Sequence, residues 1–345
     1  MNIRLLLFVL IFPIFIFSQK GNTYKIRTIA FYNLENLFDI ENDSLTHDDD
    51  RTPEGKDRWT EERYLHKIAN MAKVISEIGK GKGSSSPDIL GVCEVENRKV
   101  IEDLVHHKTL EKMNYRIVHF DSPDERGIDV ALIYKESVFL PTSFQSRRLL
   151  LHKEDGYRDY TRDQLVVGGL LDNEQIYCIV NHWPSRSGGE ARSRPNRLAA
   201  ATLNKKIIDS IIKIDRSAKI ISMGDLNDDP TDDSLKKILK TKGKKKKLET
   251  NDLFNPMEKL YKKGIGSLAY RDKWNLFDQI YFTSNLLNND SGYHFWKANV
   301  FTPSYLFSKK GRYKGYPYRT YAGGNYTGGY SDHFPVYLYL IKSAE

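Results

Sequence analysis

Hydrophobic residues fall along this chain in two patterns. Short, nearly unbroken apolar runs rich in β-branched and aromatic residues predict strands at Tyr24–Tyr32, Asp88–Val95, Tyr115–Phe120, Ile128–Tyr134, Leu165–Leu171, Ile176–His182, Lys219–Met223, Asp278–Phe282 and Pro335–Ile341. Spacings of three and four predict helices. Over Thr60–Gly79 the stripe is Leu65, Ile68, Met71, Ala72, Ile75 and Ile78, with Thr60 as N-cap, Glu61 and Glu62 in the first turn and Gly79 at the end. Asn97–Met113 is predicted helical with Val100, Leu104 and Val105 inward, and Pro195–Ile214 as a long helix with Pro195 in its first turn. Thr231–Leu239 reads as a short helix opened by Asp232 and Asp233.

Strands and helices interleave without a regular βαβ rhythm, and Leu165–Leu171 with Ile176–His182 reads as a hairpin. This predicts an α+β fold of layered sheets over a doubly wound parallel one. Asn42–Asp57, Gly79–Pro87 and the lysine run Lys242–Lys247 read as loops, none with the length of an interdomain linker. No internal repeat is visible, so residues 19–345 are expected to form a single catalytic domain.

The first 18 residues stand apart. Arg4 is the only charge before Lys20, and the apolar stretch Leu5–Phe17 ends at Ser18. A basic start, a short apolar run and a small residue make a secretory signal; a membrane span needs about 20 residues. Residues 1–18 are therefore expected to be removed, leaving no membrane span and an exported protein, periplasmic or extracellular. The chain carries 53 Lys+Arg against 45 Asp+Glu, a formal surplus of +8. Without Arg4 and the five lysines of the KGKKKK run the surplus is +2, so the overall charge says little about a polyanionic partner. Export permits disulfides, but Cys93 and Cys178 both lie in apolar strand-like runs and read as buried free thiols. Two cysteines so far apart exclude a cysteine-based metal site.

Polar residues that carry chemistry cluster where the predicted strands end. Asn33 ends the first strand, and Glu94 lies in ILGVCEV with Glu96 as the neighbouring alternative. His182 stands at the mouth of IYCIVNHW, followed by a Gly/Ser-rich loop with Arg186, Arg192, Arg194 and Arg197; guanidinium groups grip phosphate well. Asp225 and Asn227 follow KIIS, two apart on an extended chain and so facing one way. Asp278 opens a late strand, and Asp332 and His333 precede the last one. An adjacent Asp-His pair divides labour between a cation and a proton.

In order and in motif these residues resemble the endonuclease/exonuclease/phosphatase superfamily, the DNase I-like fold. GDLN and SDHFPV are its most specific motifs here, and RTPEGKDRW, DSPDERGIDVALIY and NHWPSRSGG are similar to a secreted bacterial branch. The resemblance implies a four-layer αββα sandwich with the site at one rim of two packed sheets. It implies a divalent cation, Mg²⁺ first, with Mn²⁺ or Ca²⁺ as alternatives, held by Glu94, Asn33 and Asp332. It casts His333 as the base that activates water, oriented by Asp278. Asp225 would handle protons at the attacking or leaving oxygen, Asn227 would hold the phosphate, and His182 would steady its growing negative charge. Arg186 and Arg126 are the candidate substrate contacts.

The expected function is a secreted metal-dependent phosphodiesterase, foremost an endonuclease acting on nucleic acid, monomeric and without a stable protein partner. The aromatic-rich tail Tyr313–Tyr330 supports it, since rings stack on bases. The alternative is a phosphatase or lipid phosphodiesterase of the inositol phosphate or sphingomyelin type with the same machinery. A binding protein with the fold but no chemistry is disfavoured because every catalytic position is filled.

Overall fold

Twelve strands and four helices carry the architecture. In chain order the strands are β1 (Tyr24–Leu37), β2 (Ile89–Val95), β3 (Tyr115–His119), β4 (Asp129–Lys135), β5 (Phe139–Arg147), β6 (Gln164–Leu171), β7 (Glu174–His182), β8 (Ile220–Asp225), β9 (Leu253–Phe254), β10 (Asp278–Thr283), β11 (His294–Val300) and β12 (Val336–Ser343). The helices are α1 (Glu61–Glu77), α2 (Arg98–Val105), α3 (Glu190–Ile214) and the short α4 (Met257–Tyr261). This computed structural model describes residues 23–81, 86–289 and 292–344; the expected leader lies outside the described residues.

The strands make two six-stranded sheets, ordered β11-β12-β1-β2-β4-β3 and β9-β10-β8-β7-β6-β5. Each has a parallel pair at its centre, β1 with β2 and β8 with β7, flanked by antiparallel neighbours. Alternation along β1 shows how one strand serves two cores. Ile29 and Phe31 pack between the sheets with Cys93, Cys178, Val180, Ile221 and Leu338. Ala30 and Tyr32 face α1 and α2, whose Ile68, Met71, Ile75, Val100 and Leu104 cover that side. On the outer face of the second sheet, Ile207 and Ile208 of α3 pack on Ile179 and Ile220. The result is helix, sheet, sheet, helix. A Cβ on Gly91 would sit 2.7 Å from Met223 Sδ, so glycine lets β2 and β8 approach across the middle.

Several local expectations change. Leu65 is 55% exposed and lies off the buried stripe of α1. The helix after β2 ends at Val105, eight residues short of the predicted Met113; a turn and the 3-10 stretch Glu111–Met113 follow. Helix α3 begins at Glu190, so Pro195 sits inside it rather than in its first turn. The predicted helix Thr231–Leu239 shrinks to a five-residue π turn, Ser234–Ile238. Strands β5, β9 and β11 were not expected. They lie at sheet edges, where one-sided burial weakens the hydrophobic pattern. Cys93 and Cys178 are free and buried, as their apolar runs suggest.

Candidate active site

The parallel strands β1, β2, β7 and β8 finish at the rim where the antiparallel β10 and β12 begin, which delivers polar residues from six strands to one edge. In the second sheet the register is direct. Asp225 pairs with His182 on one side and with Asp278 on the other, so three side chains stand abreast. In the first sheet the rim is made by bulges. Pairing of β1 with β2 shifts between Asn33 and Leu37, and pairing of β2 with β4 shifts between Cys93 and Val95. Glu35, Asn36, Glu94 and Asn227 take left-handed backbone, with φ of 50°, 51°, 58° and 51°. For non-glycine residues this costs on the order of 1–3 kcal/mol each. The bulges re-aim side chains that a regular strand would bury between the layers.

His333 lies at the centre. Its Nδ1 is 2.6 Å from Asp278 Oδ2, and Ser267 Oγ donates to the same oxygen. Its Nε2 faces Asp225 Oδ2 at 3.8 Å and Asp332 Oδ1 at 3.9 Å. Burial opposes a charge on this imidazole, but the carboxylates of Asp278, Asp225 and Asp332 outweigh it and raise its pKa well above the usual histidine value. An acceptor-only carboxylate at Nδ1 fixes the proton there and leaves Nε2 to work. Asp225 is buried, and burial pushes its carboxyl up to about 7, with His333 pulling it back. A carboxyl balanced near neutrality suits proton exchange. It also accepts Asn33 Nδ2 at 3.1 Å and the backbone N–H of Asn227 at 3.0 Å.

His182 closes the other side. Its Nε2 is 3.7 Å from Glu94 Oε1 and 3.8 Å from Asp225 Oδ2. Burial, followed by the positive charges of Arg162 and Arg126, holds its pKa well below the ordinary value. The ring is therefore neutral at pH 7. Its buried Nδ1 has no hydrogen-bond partner among the described residues. Asn227 Nδ2 donates to the Trp183 carbonyl at 3.0 Å, which fixes the amide next to Asp225.

All eight residues expected at strand ends thus share one rim. Glu94 Oε2 accepts the Asn36 N–H at 3.0 Å, and Asn33 Oδ1 accepts the Glu35 N–H at 2.8 Å. Glu96 turns away to accept the Asp39 N–H. Asp225, Asp278 and His333 each bring a ligand atom within 4.8 Å of the others. Buried Asp278 Oδ1 has no partner among the described residues. The carboxylates of Glu94, Asp225, Asp278 and Asp332 outnumber the two imidazoles, and this surplus of charge and hard oxygen donors fits a divalent cation such as Mg²⁺.

Sequence reading missed three residues. Glu35, in the β1 bulge, is pushed up to about 7 by burial and then by the Asp332 carboxylate, and it accepts the Thr320 N–H at 2.7 Å. Buried Lys67 of α1 answers it, with Nζ 3.6 Å from Glu35 and bonded to Thr320 Oγ1 and the Tyr330 carbonyl. A lysine among the apolar residues of a helix stripe was the available signal. Arg162, also buried, bonds Asp124 Oδ2 and the Trp183 carbonyl, each at 2.8 Å. The expected arginine grips are otherwise engaged. Arg186 is bonded to the Asn227 carbonyl, Asp228 and Asp232 and lies over the Phe277 ring, so it braces the loop that carries Asn227. Arg192 pairs with Glu154, Arg194 with Glu190, and fully buried Arg197 with Asp228. Arg192, Arg194 and Arg197 lie on α3 rather than in a loop, and they are neutralised by Glu190 one turn away and by Glu154 and Asp228, distant in sequence. Half-exposed Arg126 is 3.5 Å from Asp124 and close enough to His182 to depress its pKa.

Carboxylates, imidazoles and amides gathered on one rim of packed sheets equip a hydrolase of phosphoric esters that works with a divalent cation. The chain belongs to the endonuclease/exonuclease/phosphatase family, whose model matches residues 28–342. Enzymes of this family are divalent-metal-dependent phosphoric ester hydrolases, and this chain is one of them. No curated protein matches it in sequence. Solved structures show the same fold. TDP2 of D. rerio complexed with single strand DNA product is 13% identical with a TM-score of 0.53, covering 91% of this chain and 98% of that one. An endonuclease/exonuclease/phosphatase family protein from Bacteroides thetaiotaomicron is 15% identical with a TM-score of 0.55, covering 94% and 97%. A mannosyl-6-phosphatase from Bacteroides thetaiotaomicron VPI-5482 is 16% identical with a TM-score of 0.53, covering 91% and 99%.

Proposed function

We propose that this protein is an exported, Mg²⁺-dependent phosphodiesterase that cuts nucleic acid as an endonuclease, working as a monomer without a stable protein partner. The observation that carries the nucleic-acid reading is a cavity of about 540 Å³ lined by the rings of Tyr305, Phe307, Tyr313, Tyr318 and Tyr330. Arg319 lines it too, and its Nη2 lies 3.0 Å from Asp332 Oδ2, so the cavity adjoins the hydrolytic rim. Aromatic walls with Lys309, Lys310 and Arg312 offer stacking for a base and charge for its flanking phosphates. Export rests on the Leu5–Phe17 segment and its flanks.

In this reading, Glu94, Asn33 and Asp332 would hold Mg²⁺, which would supply positive charge against the phosphate oxygens. His333 Nε2 takes a proton from water as its oxygen bonds to phosphorus, while Asp278 keeps Nδ1 protonated and the ring aimed. The bond from phosphorus to the leaving oxygen breaks, and protonated Asp225 gives that oxygen its proton. Asn227 and neutral His182 donate to the non-bridging oxygens as charge grows there. Arg126, half exposed beside His182, is the remaining candidate contact to substrate.

The same cavity also suits the ring of a sugar or inositol phosphate, which is the phosphatase reading. A panel of single-stranded DNA, duplex DNA, RNA, mannose 6-phosphate, inositol phosphates and sphingomyelin, each with Mg²⁺ or EDTA, separates them. Internal cleavage of oligonucleotides that EDTA and His333→Ala both abolish is the expected result. Turnover of the small esters alone, with oligonucleotides left whole, overturns the nuclease reading.

A further inference from the structure

A second groove, of about 940 Å³, lies where the edges of the two sheets meet, between the edge strands β9 and β11. Its walls are lysines: Lys244–Lys246 from the KGKKKK loop, Lys259, Lys262 and Lys263 from α4 and the turn after it, and Lys297 from β11. Glu258 is the one acid in this lining, and it is bound to Lys236 and Lys262. Lys244, Lys246, Lys259, Lys263 and Lys297 have no carboxylate partner among the described residues. Like charges do not gather on one concavity at no cost; an anion that settles among them removes the repulsion.

The floor is apolar. Phe254 and Phe295 lie at the bottom, with Lys245 Nζ 5.1 Å above the Phe295 ring. Trp296 is the bulged residue of β11, since Phe295 pairs with Leu340 and Lys297 already with Tyr339. The bulge turns its indole out to 43% exposure, with its ring 5.6 Å from that of Tyr339. Positive walls with rings along the floor match a strand whose phosphates run outside and whose bases turn inward. A bilayer is the poorer match, because Phe254 and Phe295 are buried and lysines rather than apolar side chains surround the exposed Trp296. Ile265 in the groove's lining is two residues from Ser267, which holds Asp278.

We propose that this groove is a non-catalytic binding site for single-stranded nucleic acid. It rests on the nuclease reading for its biological sense, but its test is separate. In EDTA, anisotropy of a fluorescein-labelled dT20 reports binding by the full mature chain. With about four lysines on phosphates, raising salt from 50 to 200 mM weakens binding about fifty-fold. The combined variant Lys244→Ala, Lys246→Ala and Lys263→Ala, all exposed positions, lowers the logarithmic salt slope by about 2 and the affinity at least tenfold. Trp296→Ala weakens binding with the slope unchanged. Both variants keep the wild-type rate on bis(p-nitrophenyl) phosphate with Mg²⁺, which confirms an intact centre. Unchanged dT20 affinity in the lysine variant overturns the inference. So does lysine-dependent capture by phosphatidylglycerol vesicles that exceeds capture of dT20. Binding at the groove without cleavage sinks the nuclease reading alone, and cleavage indifferent to these lysines sinks the groove alone.

Discussion

Replacing Asp278 by Asn isolates the link between the buried carboxylate and the base. Asp278 is 0% exposed, and its Oδ2 accepts from His333 Nδ1 at 2.6 Å and from Ser267. Asn has nearly the same shape but no charge. If its amide oxygen faces His333, a charge-assisted hydrogen bond of about 1.5–3 kcal/mol becomes a neutral one of about 0.5–1.5. That loss of roughly 1 kcal/mol is about a fivefold effect. If the amide nitrogen faces the ring, the Nδ1 proton is expelled to Nε2, the atom that must accept from water, and the general-base contribution of about 10²–10⁴ goes with it. The second orientation competes, so kcat falls by 10² or more, bounded near 10⁴. The pH profile carries the sign. The carboxylates raise the His333 pKa, so the base is free only above that raised value. Removing one of them lowers the pKa, and the acid limb of kcat/KM moves to lower pH even as the plateau drops. Linkage runs the same way: the stability gained from a raised His333 is present below the unfolded pKa of about 6.5. It is lost as pH rises through the folded one, and the variant loses that pH-dependent part. Rates on a phosphodiester from pH 5 to 9 at saturating Mg²⁺ measure both effects. A fall in plateau with an unmoved acid limb, or no fall at all, refutes the coupling.

Three further outcomes follow from the same geometry. Glu94→Gln weakens the Mg²⁺ dependence of activity by tenfold or more with little change in thermal unfolding of the metal-free protein; a superimposable Mg²⁺ titration removes Glu94 from the ligand set. Arg162→Met leaves Asp124 charged and buried and the Trp183 carbonyl without this donor, which costs about 3–5 kcal/mol, read as a lower urea midpoint at constant slope; a change under 1 kcal/mol would mean that this pair behaves as a solvated one. Gly91→Ala pushes a Cβ against Met223 Sδ between the sheets and costs about 1–3 kcal/mol in the same assay, without altering KM.

The central strands were legible because burial on both faces makes them unbroken apolar runs, and their ends were legible because polar residues there have few other reasons to follow such runs. The placing of Asn33, Glu94, His182, Asp225, Asn227, Asp278, Asp332 and His333 at strand ends was legible that way. Lys67 and Arg162 were not: Lys67 interrupts an apolar stripe, but what holds each buried cation is a distant partner, Glu35 in one case and Asp124 in the other. The arginines after His182 misled for the converse reason. A basic segment looks free until Glu154 and Asp228 are folded onto it and helix α3 sets Glu190 one turn from Arg194. The lysine run reads from sequence only as a loop, and the meeting of α4 with β11 makes it one wall of a groove.

Residue order and hydrophobic period alone determined the layered strands and helices, and together with motif order they determined which polar side chains stand at the strand ends. Both are local properties, written in spacings of two and of three to four. What tertiary structure decided was which charges meet: the register that sets Asp225 between His182 and Asp278, the bulges that turn Glu35 and Glu94 outward, and the pairing or exposure of every basic group. Electrostatic interactions act through space between residues hundreds of positions apart, so their partners exist only once the sheets have packed.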